Sequence, residues 1–251
     1  MMDTVLLCRE IIYITKGIVM NIEWSGYKWR TQERWGKVHK DKSWCHYDSD
    51  CVRVDNWGNL HLETHRNPKE VEGYQSEFGV GLVSSVDKFG YGFYEIECKL
   101  PTGPKLWPAF WMWSWDSWPP EIDVFEGYTT NNGGYLKFNR FNPFGWWNVP
   151  TNIWTESKEG RGVNLKARTG WMGFKDPSKH FMKYSVLILE DLIEIQHNGR
   201  VVRRIEDEEI LKHFRGTEWN VIINNHFQEN PPEGDNYSDF VVKSFHYEQR
   251  Y

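Results

Sequence analysis

Short segments of alternating apolar and polar residues recur along the whole chain, set apart by glycine, asparagine and proline clusters. This pattern commits the chain to sheets. Residues 51–54, 60–64, 81–85, 92–99, 109–113, 183–190, 192–197, 219–224 and 239–247 all read as strands. Asn56-Trp57-Gly58-Asn59 and His197-Asn198-Gly199-Arg200 supply hairpin turns between them. A short helix is expected over 206–214, where Ile210, Leu211 and Phe214 fall at helical spacing. No long linker, internal repeat or low-complexity tract interrupts the pattern, and 251 residues suit one all-β domain.

One of the β-type stretches carries chemistry. Glu121-Ile122-Asp123-Val124-Phe125-Glu126 puts three acids into six residues. Strand alternation places Glu121 and Asp123 on one face and turns Glu126 to the other. A regular strand would then bury Glu126 between sheets as an unpaired charge, which is costly. One extra residue, absorbed as a β-bulge near Val124–Phe125, returns Glu126 to the face of the other two acids. The outer glutamates would then stand roughly 13 Å apart at Cα, at about 3.3 Å per strand step. Leaning side chains can close that to the ~5–5.5 Å of a retaining glycosidase, whereas inversion needs a wider gap. Three carboxyls so close cannot all ionise, so one should keep its proton near neutrality. The expected roles are Glu121 as nucleophile, Asp123 as the group that orients it, and Glu126 as general acid and then base.

Tryptophan surrounds this stretch. The chain holds 15 Trp, and Trp107, Trp111, Trp113, Trp115 and Trp118 all precede Glu121. Alternation sets Trp111, Trp113 and Trp115 on one face, with Phe110 and Met112 on the other. Trp107, Trp115 and Trp118 are the expected sugar platforms, since an indole offers a broad apolar face to a pyranose. Trp111 is read as structural. Clustered carboxyls beside aromatic faces supply the two halves of a polysaccharide-cleaving site.

Trp107-Pro108-Ala109-Phe110-Trp111-Met112 followed by Glu121-Ile122-Asp123-Val124-Phe125-Glu126 resembles the signature of glycoside hydrolase family 16. The two residues between Asp123 and Glu126 are similar to the family's bulged branch of laminarinase-, agarase- and carrageenase-like enzymes. The resemblance implies an all-β jelly-roll sandwich of two antiparallel sheets with a concave substrate cleft. It implies the same roles for Glu121, Asp123 and Glu126, and brings in Asn152 and Trp154 from the strand beside the catalytic one. Asn225, in Asn224-Asn225-His226, becomes a substrate-binding candidate, with His226 as its alternative. The aromatic stretch from Phe138 to Asn148 is expected to loop over the cleft, presenting Trp146 or Trp147. Many relatives also carry a structural calcium, for which Asp239 and the Gly58 carbonyl are the matching positions; oxygen ligands suit that ion. No cofactor is needed for a two-carboxylate mechanism.

The resulting expectation is an endo-acting, retaining β-glycanase acting on a β-1,3- or mixed-linkage glucan. Its alternatives are a galactan hydrolase of the agar or carrageenan type and a non-catalytic jelly-roll lectin. Residues 21–251 form the expected single catalytic domain, and 1–20 a disordered or misassigned leader without an export signal. The partner is polysaccharide. A formal net charge of −5 argues against nucleic acid and anionic membrane, and no apolar run reaches the ~18 residues of a span. A monomer is expected. Cys45 and Cys51 flank a short loop that a disulfide could close, with free thiols the equal alternative. No Cys-x-x-Cys pair suggests zinc.

Overall fold

The alternating segments form eighteen strands in the computed structural model, which describes residues 20–39, 42–136, 145–156, 162–165, 170, 173–229 and 237–251. The first six are β1 (Asn21–Trp24), β2 (Tyr27–Arg30), β3 (Cys45–Tyr47), β4 (Val52–Val54), β5 (Leu60–Leu62) and β6 (Thr64–Val71). Next come β7 (Tyr74–Val80), β8 (Leu82–Ser85), β9 (Gly92–Lys99), β10 (Leu106–Ser114), β11 (Glu121–Glu126) and β12 (Asn152–Glu156). The chain closes with β13 (Gly162–Asn164), β14 (Met182–Ile188), β15 (Ile193–His197), β16 (Arg200–Ile205), β17 (Trp219–Phe227) and β18 (Phe240–Gln249).

Two large antiparallel sheets face each other. One runs β1-β2-β8-β17-β10-β11-β12-β13 and the other β16-β15-β14-β9-β18-β5-β4. Their inward side chains form one apolar cluster. Phe110, Met112, Ile122, Val124, Phe125, Ile153 and Val221 come from the first sheet, and Tyr94, Ile96, Tyr184, Val186, Ile195 and Phe240 from the second. Strand β9 shows the logic most cleanly, since its eight residues alternate between buried and half-buried throughout. Each large side chain so buried stabilises the sandwich by roughly 1.5–3 kcal/mol.

A third, three-stranded sheet, β3-β7-β6, was not expected from the sequence. Its β3–β7 pair is parallel. Cys45, Tyr47, Phe78 and Val80 from this sheet pack with Leu106, Ile222 and Phe227 of the eight-stranded one, building a second apolar cluster on its outer side.

Local expectations meet local physics in several places. Asn198 and Gly199 both take positive φ, 51° and 75°, as a two-residue hairpin turn requires. The helix is shorter than its spacing suggested. α1 covers Glu208–Leu211 behind an Asp207 cap, whose carboxylate accepts the Glu209 amide at 2.9 Å. Cys45, Cys51 and Cys98 are buried free thiols, so the Cys45–Cys51 bridge does not form. Residues 1–19, including the expected leader and Cys8, lie outside the described residues. No helix among the described residues is long and apolar enough to cross a membrane.

The calcium positions do not fit the ion. The Gly58 carbonyl accepts the Trp24 indole N–H at 2.9 Å. Asp239 Oδ2 lies 2.9 Å from Arg53 Nη2 and 2.8 Å from His61 Nδ1. A guanidinium and an imidazole thus stand against Asp239 where the cation itself would sit. Among the described residues no group of three His, Cys, Asp or Glu is arranged to hold a metal.

Candidate active site

The site begins as a fault in one ladder. Along β10 and β11, Trp113 pairs with Glu121, Met112 with Ile122 and Trp111 with Asp123; the next pair is Phe110 with Phe125. Val124 has no partner. It is the extra residue of a bulge, and Val124 and Phe125 both turn into the apolar core with no exposed surface. Beyond the bulge Glu126 pairs with Ala109 and faces outward again, its amide donating to the Pro150 carbonyl at 2.9 Å.

A bulge leaves backbone groups without ladder partners, and buried ones must be satisfied. His197, on β15 of the opposite sheet, meets this need: its Nε2 lies 2.8 Å from the Val124 carbonyl. A carbonyl can only accept, so Nε2 carries the proton. Burial holds this ring neutral by pushing its pKa down to about 4. The kink in the acid-bearing strand is therefore braced from across the sandwich.

Glu121, Asp123 and Glu126 then line one cavity of about 120 Å³ together with Trp107, Trp111, Asn224, His226, Tyr47 and His39. Glu121 Oε2 accepts the Trp118 indole N–H at 2.7 Å. Glu126 Oε1 accepts the Trp107 indole at 3.2 Å and the Tyr128 hydroxyl, and the Asn152 side chain also donates to Glu126. Asp123 is 4% exposed, and its Oδ2 has no hydrogen-bond partner.

Burial dominates the charges of all three. It pushes Glu121 up to about 7, opposed by the Trp118 N–H and helped by the charge of Glu126. It raises Glu126 against the donors Tyr128, Asn152 and Trp107. Asp123 is held well above the usual carboxylate range by burial and by both neighbouring glutamates, with Arg203 pulling weakly the other way. Asp123 has the least help in carrying charge, and the three titrate as one set.

The other sequence candidates scatter. Trp107 lines the cavity and stacks on Tyr128 with ring centres 5.7 Å apart. Trp118 is 46% exposed and lies 5.5 Å from Trp154, which pairs across the ladder with Glu121. Asn152 pairs with Asp123. Trp111, read as structural, lines the cavity, its indole N–H held by Asn224 Oδ1 at 2.7 Å. Trp115 lies farther along, ringed by Arg30, Arg34 and Lys88. Asn225 does not face the cavity. It points into the sandwich and donates to the Leu62 carbonyl, while Asn224 and His226 take the outer face. Trp146 and Trp147 pack toward Arg200 and Phe174; residues 137–144 lie outside the described ones.

Tyr47, His39 and Tyr128 escaped the sequence reading. Tyr128 alone had a signal: it sits two residues past Glu126, on the same face if the strand direction continues. His226 Nε2 is buried, unpartnered and beside the cavity, and burial pushes the ring's pKa down to about 4.

The sequence matches the family described as glycosyl hydrolases family 16 over residues 39–224. An endo-1,3-1,4-beta-glycanase, ExsH, of Rhizobium meliloti (strain 1021) is 38% identical over 60 residues, which are 23% of this chain and 12% of that protein. The chain thus aligns with about an eighth of the length of that relative. The LamAcat structure from Zobellia galactanivorans superposes with a TM-score of 0.68 at 16% identity, covering 88% of this chain and 90% of the other. The laminarinase catalytic domain of Thermotoga maritima MSB8 gives 0.65 at 20% identity, covering 83% and 84%. These superpositions fix the fold as the jelly-roll sandwich of those proteins.

Proposed function

Because this chain belongs to glycosyl hydrolase family 16, we propose that it is an endo-acting, retaining hydrolase of a β-1,3- or mixed-linkage glucan. One observation carries the reading: the bulge at Val124 brings Glu121, Asp123 and Glu126 to a single cavity floored by tryptophan. A sugar-binding module has no need of two outer carboxyls on either side of a protonated third.

In this mechanism Glu126 protonates the departing glycosidic oxygen while Glu121 attacks the anomeric carbon. Water activated by Glu126 then frees the glycosyl-enzyme. Protonated Asp123 serves Glu121 by limiting the charge packed beside it. Trp118 holds Glu121 in position, and Trp107 with Tyr128 does the same for Glu126. The glucan preference draws on the name of the Rhizobium relative and on the aromatic rings among the cavity walls.

The test is reducing-end release from laminarin, lichenan, agarose and κ-carrageenan. The protein should act on the first two, and Glu121→Ser should lower kcat by roughly 10³-fold or more. No release by either protein with binding intact would replace the hydrolase with a carbohydrate-binding role, and equal release by both would remove Glu121 from the catalytic pair. Early-time NMR should show the β-anomer first; an initial α-product would overturn the assignment of Glu121 as nucleophile.

A further inference from the structure

Beside Glu121, reached through its ladder partner Trp113, lies a cluster that the two-carboxylate mechanism does not use. Three cations surround the Trp115 ring: Arg34 at 4.2 Å from its centre, Lys88 at 5.3 Å and Arg30 at 5.7 Å. Arg34 also lies 5.6 Å above Trp113, the ladder partner of Glu121. Trp35, 44% exposed, meets Trp113 edge-on at 4.8 Å.

Charge makes this cluster unusual within a chain of net charge −5. Lys88 is accounted for by Glu218 at 2.6 Å. The two arginines have no carboxylate partner among the described residues. The hydrogen bonds they make run to backbone carbonyls, Arg30 Nη1 to Ser85 at 2.8 Å and Arg34 Nη1 to Trp115. Burial lowers the pKa of Arg30, the charge of Arg34 lowers it further, and the charge of Asp87 opposes. Glu33, the acid beside Arg34, gives little relief, because burial pushes its pKa up to about 8 and leaves it neutral at pH 7. Two like charges held together without a counter-ion invite an anion.

Packing alone leaves this unexplained. A guanidinium laid on an indole uses its flat face, while its five N–H donors lie in the plane and point outward. Each arginine here has spent one of them on a carbonyl. The remaining edges form a fork suited to a carboxylate or sulfate, over rings suited to a sugar face.

We propose that Arg30 and Arg34, with Trp115, Trp113 and Trp35 as its apolar wall, form a binding site for an acidic substituent on the glycan, beyond the unit at Glu121. The site rests on reading the cleft as a glycan cleft, and it sets which glucan is preferred: one whose backbone is β-linked and whose substituents carry a carboxylate or sulfate.

The experiment compares binding of a neutral β-glucan oligosaccharide, its carboxymethylated form and its sulfated form to the full-length Glu121→Ser protein by calorimetry. The acidic forms should bind at least about tenfold more tightly at low salt, a difference that charge-assisted hydrogen bonds readily supply. That advantage should shrink as salt is added, while neutral binding stays level. In the further double variant Arg30→Gln, Arg34→Gln the acidic-to-neutral ratio should fall to near one. Carboxylated and sulfated forms behaving alike would assign the site to anions in general; preference for one names the substituent. Equal affinity for neutral and acidic forms, or an acidic advantage that ignores salt or survives the double variant, overturns the proposal. Because binding is measured in a protein that cannot turn over, a failure of the hydrolase reading would appear separately, as wild type releasing no reducing ends.

Discussion

Glu33 is the residue whose chemistry departs furthest from its surroundings. It has no exposed surface, and burial pushes its pKa up to about 8, with the charge of Glu121 adding to the effect and the charge and backbone N–H of Arg34 opposing it. The unfolded chain loses that proton near the ordinary value of 4.5, so between pH 4.5 and 8 the folded form binds more protons than the unfolded one. Stability therefore falls as pH rises through that window, and the full deficit is present above it. Glu33→Gln should be as stable as wild type near pH 4.5, and more stable by roughly 2–4 kcal/mol at pH 8–9. Urea denaturation at the two pH values checks this; a gap that is the same at both would mean Glu33 is already ionised in the fold. The same scale explains why Asn225 was misplaced. All nine residues of β17 are buried, so neither hydropathy nor exposure says which of Asn224 and Asn225 looks outward. Only the partners decide it: Trp111 on one side, the Leu62 carbonyl on the other.

At the level of elements, β11 depends on a neighbour that its own sequence does not reveal. The need for a bulge could be read from Glu126, because an acid cannot be left among Ile122, Val124 and Phe125. The brace could not: His197 lies 73 residues on, in another sheet, and nothing near it hints at the Val124 carbonyl. His197→Phe should leave that carbonyl unpaired and let the kink relax, lowering kcat by roughly 10–100-fold while KM changes little. His197→Gln, which keeps a donor, should recover part of the loss; unchanged kcat in the Phe variant would reduce the histidine to core filling. Legibility followed burial elsewhere too. Strands packed on one face, such as β9, announced themselves by alternation. β6 did not, because five of its eight residues are exposed or half-exposed polar groups on the rim of the small sheet, and a sixth is the exposed Pro68. Nor did β3, three residues whose parallel pairing with β7 is a long-range contact.

For the whole molecule, the sandwich holds its own edges with protein groups at the positions where relatives suggested an ion. Arg53 and His61 already occupy Asp239, and Trp24 the Gly58 carbonyl. EDTA or millimolar calcium should therefore shift Tm by less than about 1 °C, since a ligand stabilises only in proportion to its binding to the native form; a rise of several degrees on adding calcium would show that these contacts yield to the ion. The indoles of β10 carry a wider consequence. Trp107, Trp111 and Trp113 each have their ring nitrogen tied, to Glu126, Asn224 and Asn220 in turn, and Asn220 is itself fastened to Ser85. A floor whose tiles are mortared down loses little freedom when a polymer settles on it, but it cannot be re-tilted to suit a chain of different pitch. A change in the pitch of polymer that this floor could accept would then have to start with the two asparagines of β17, one strand away from any aromatic ring they govern.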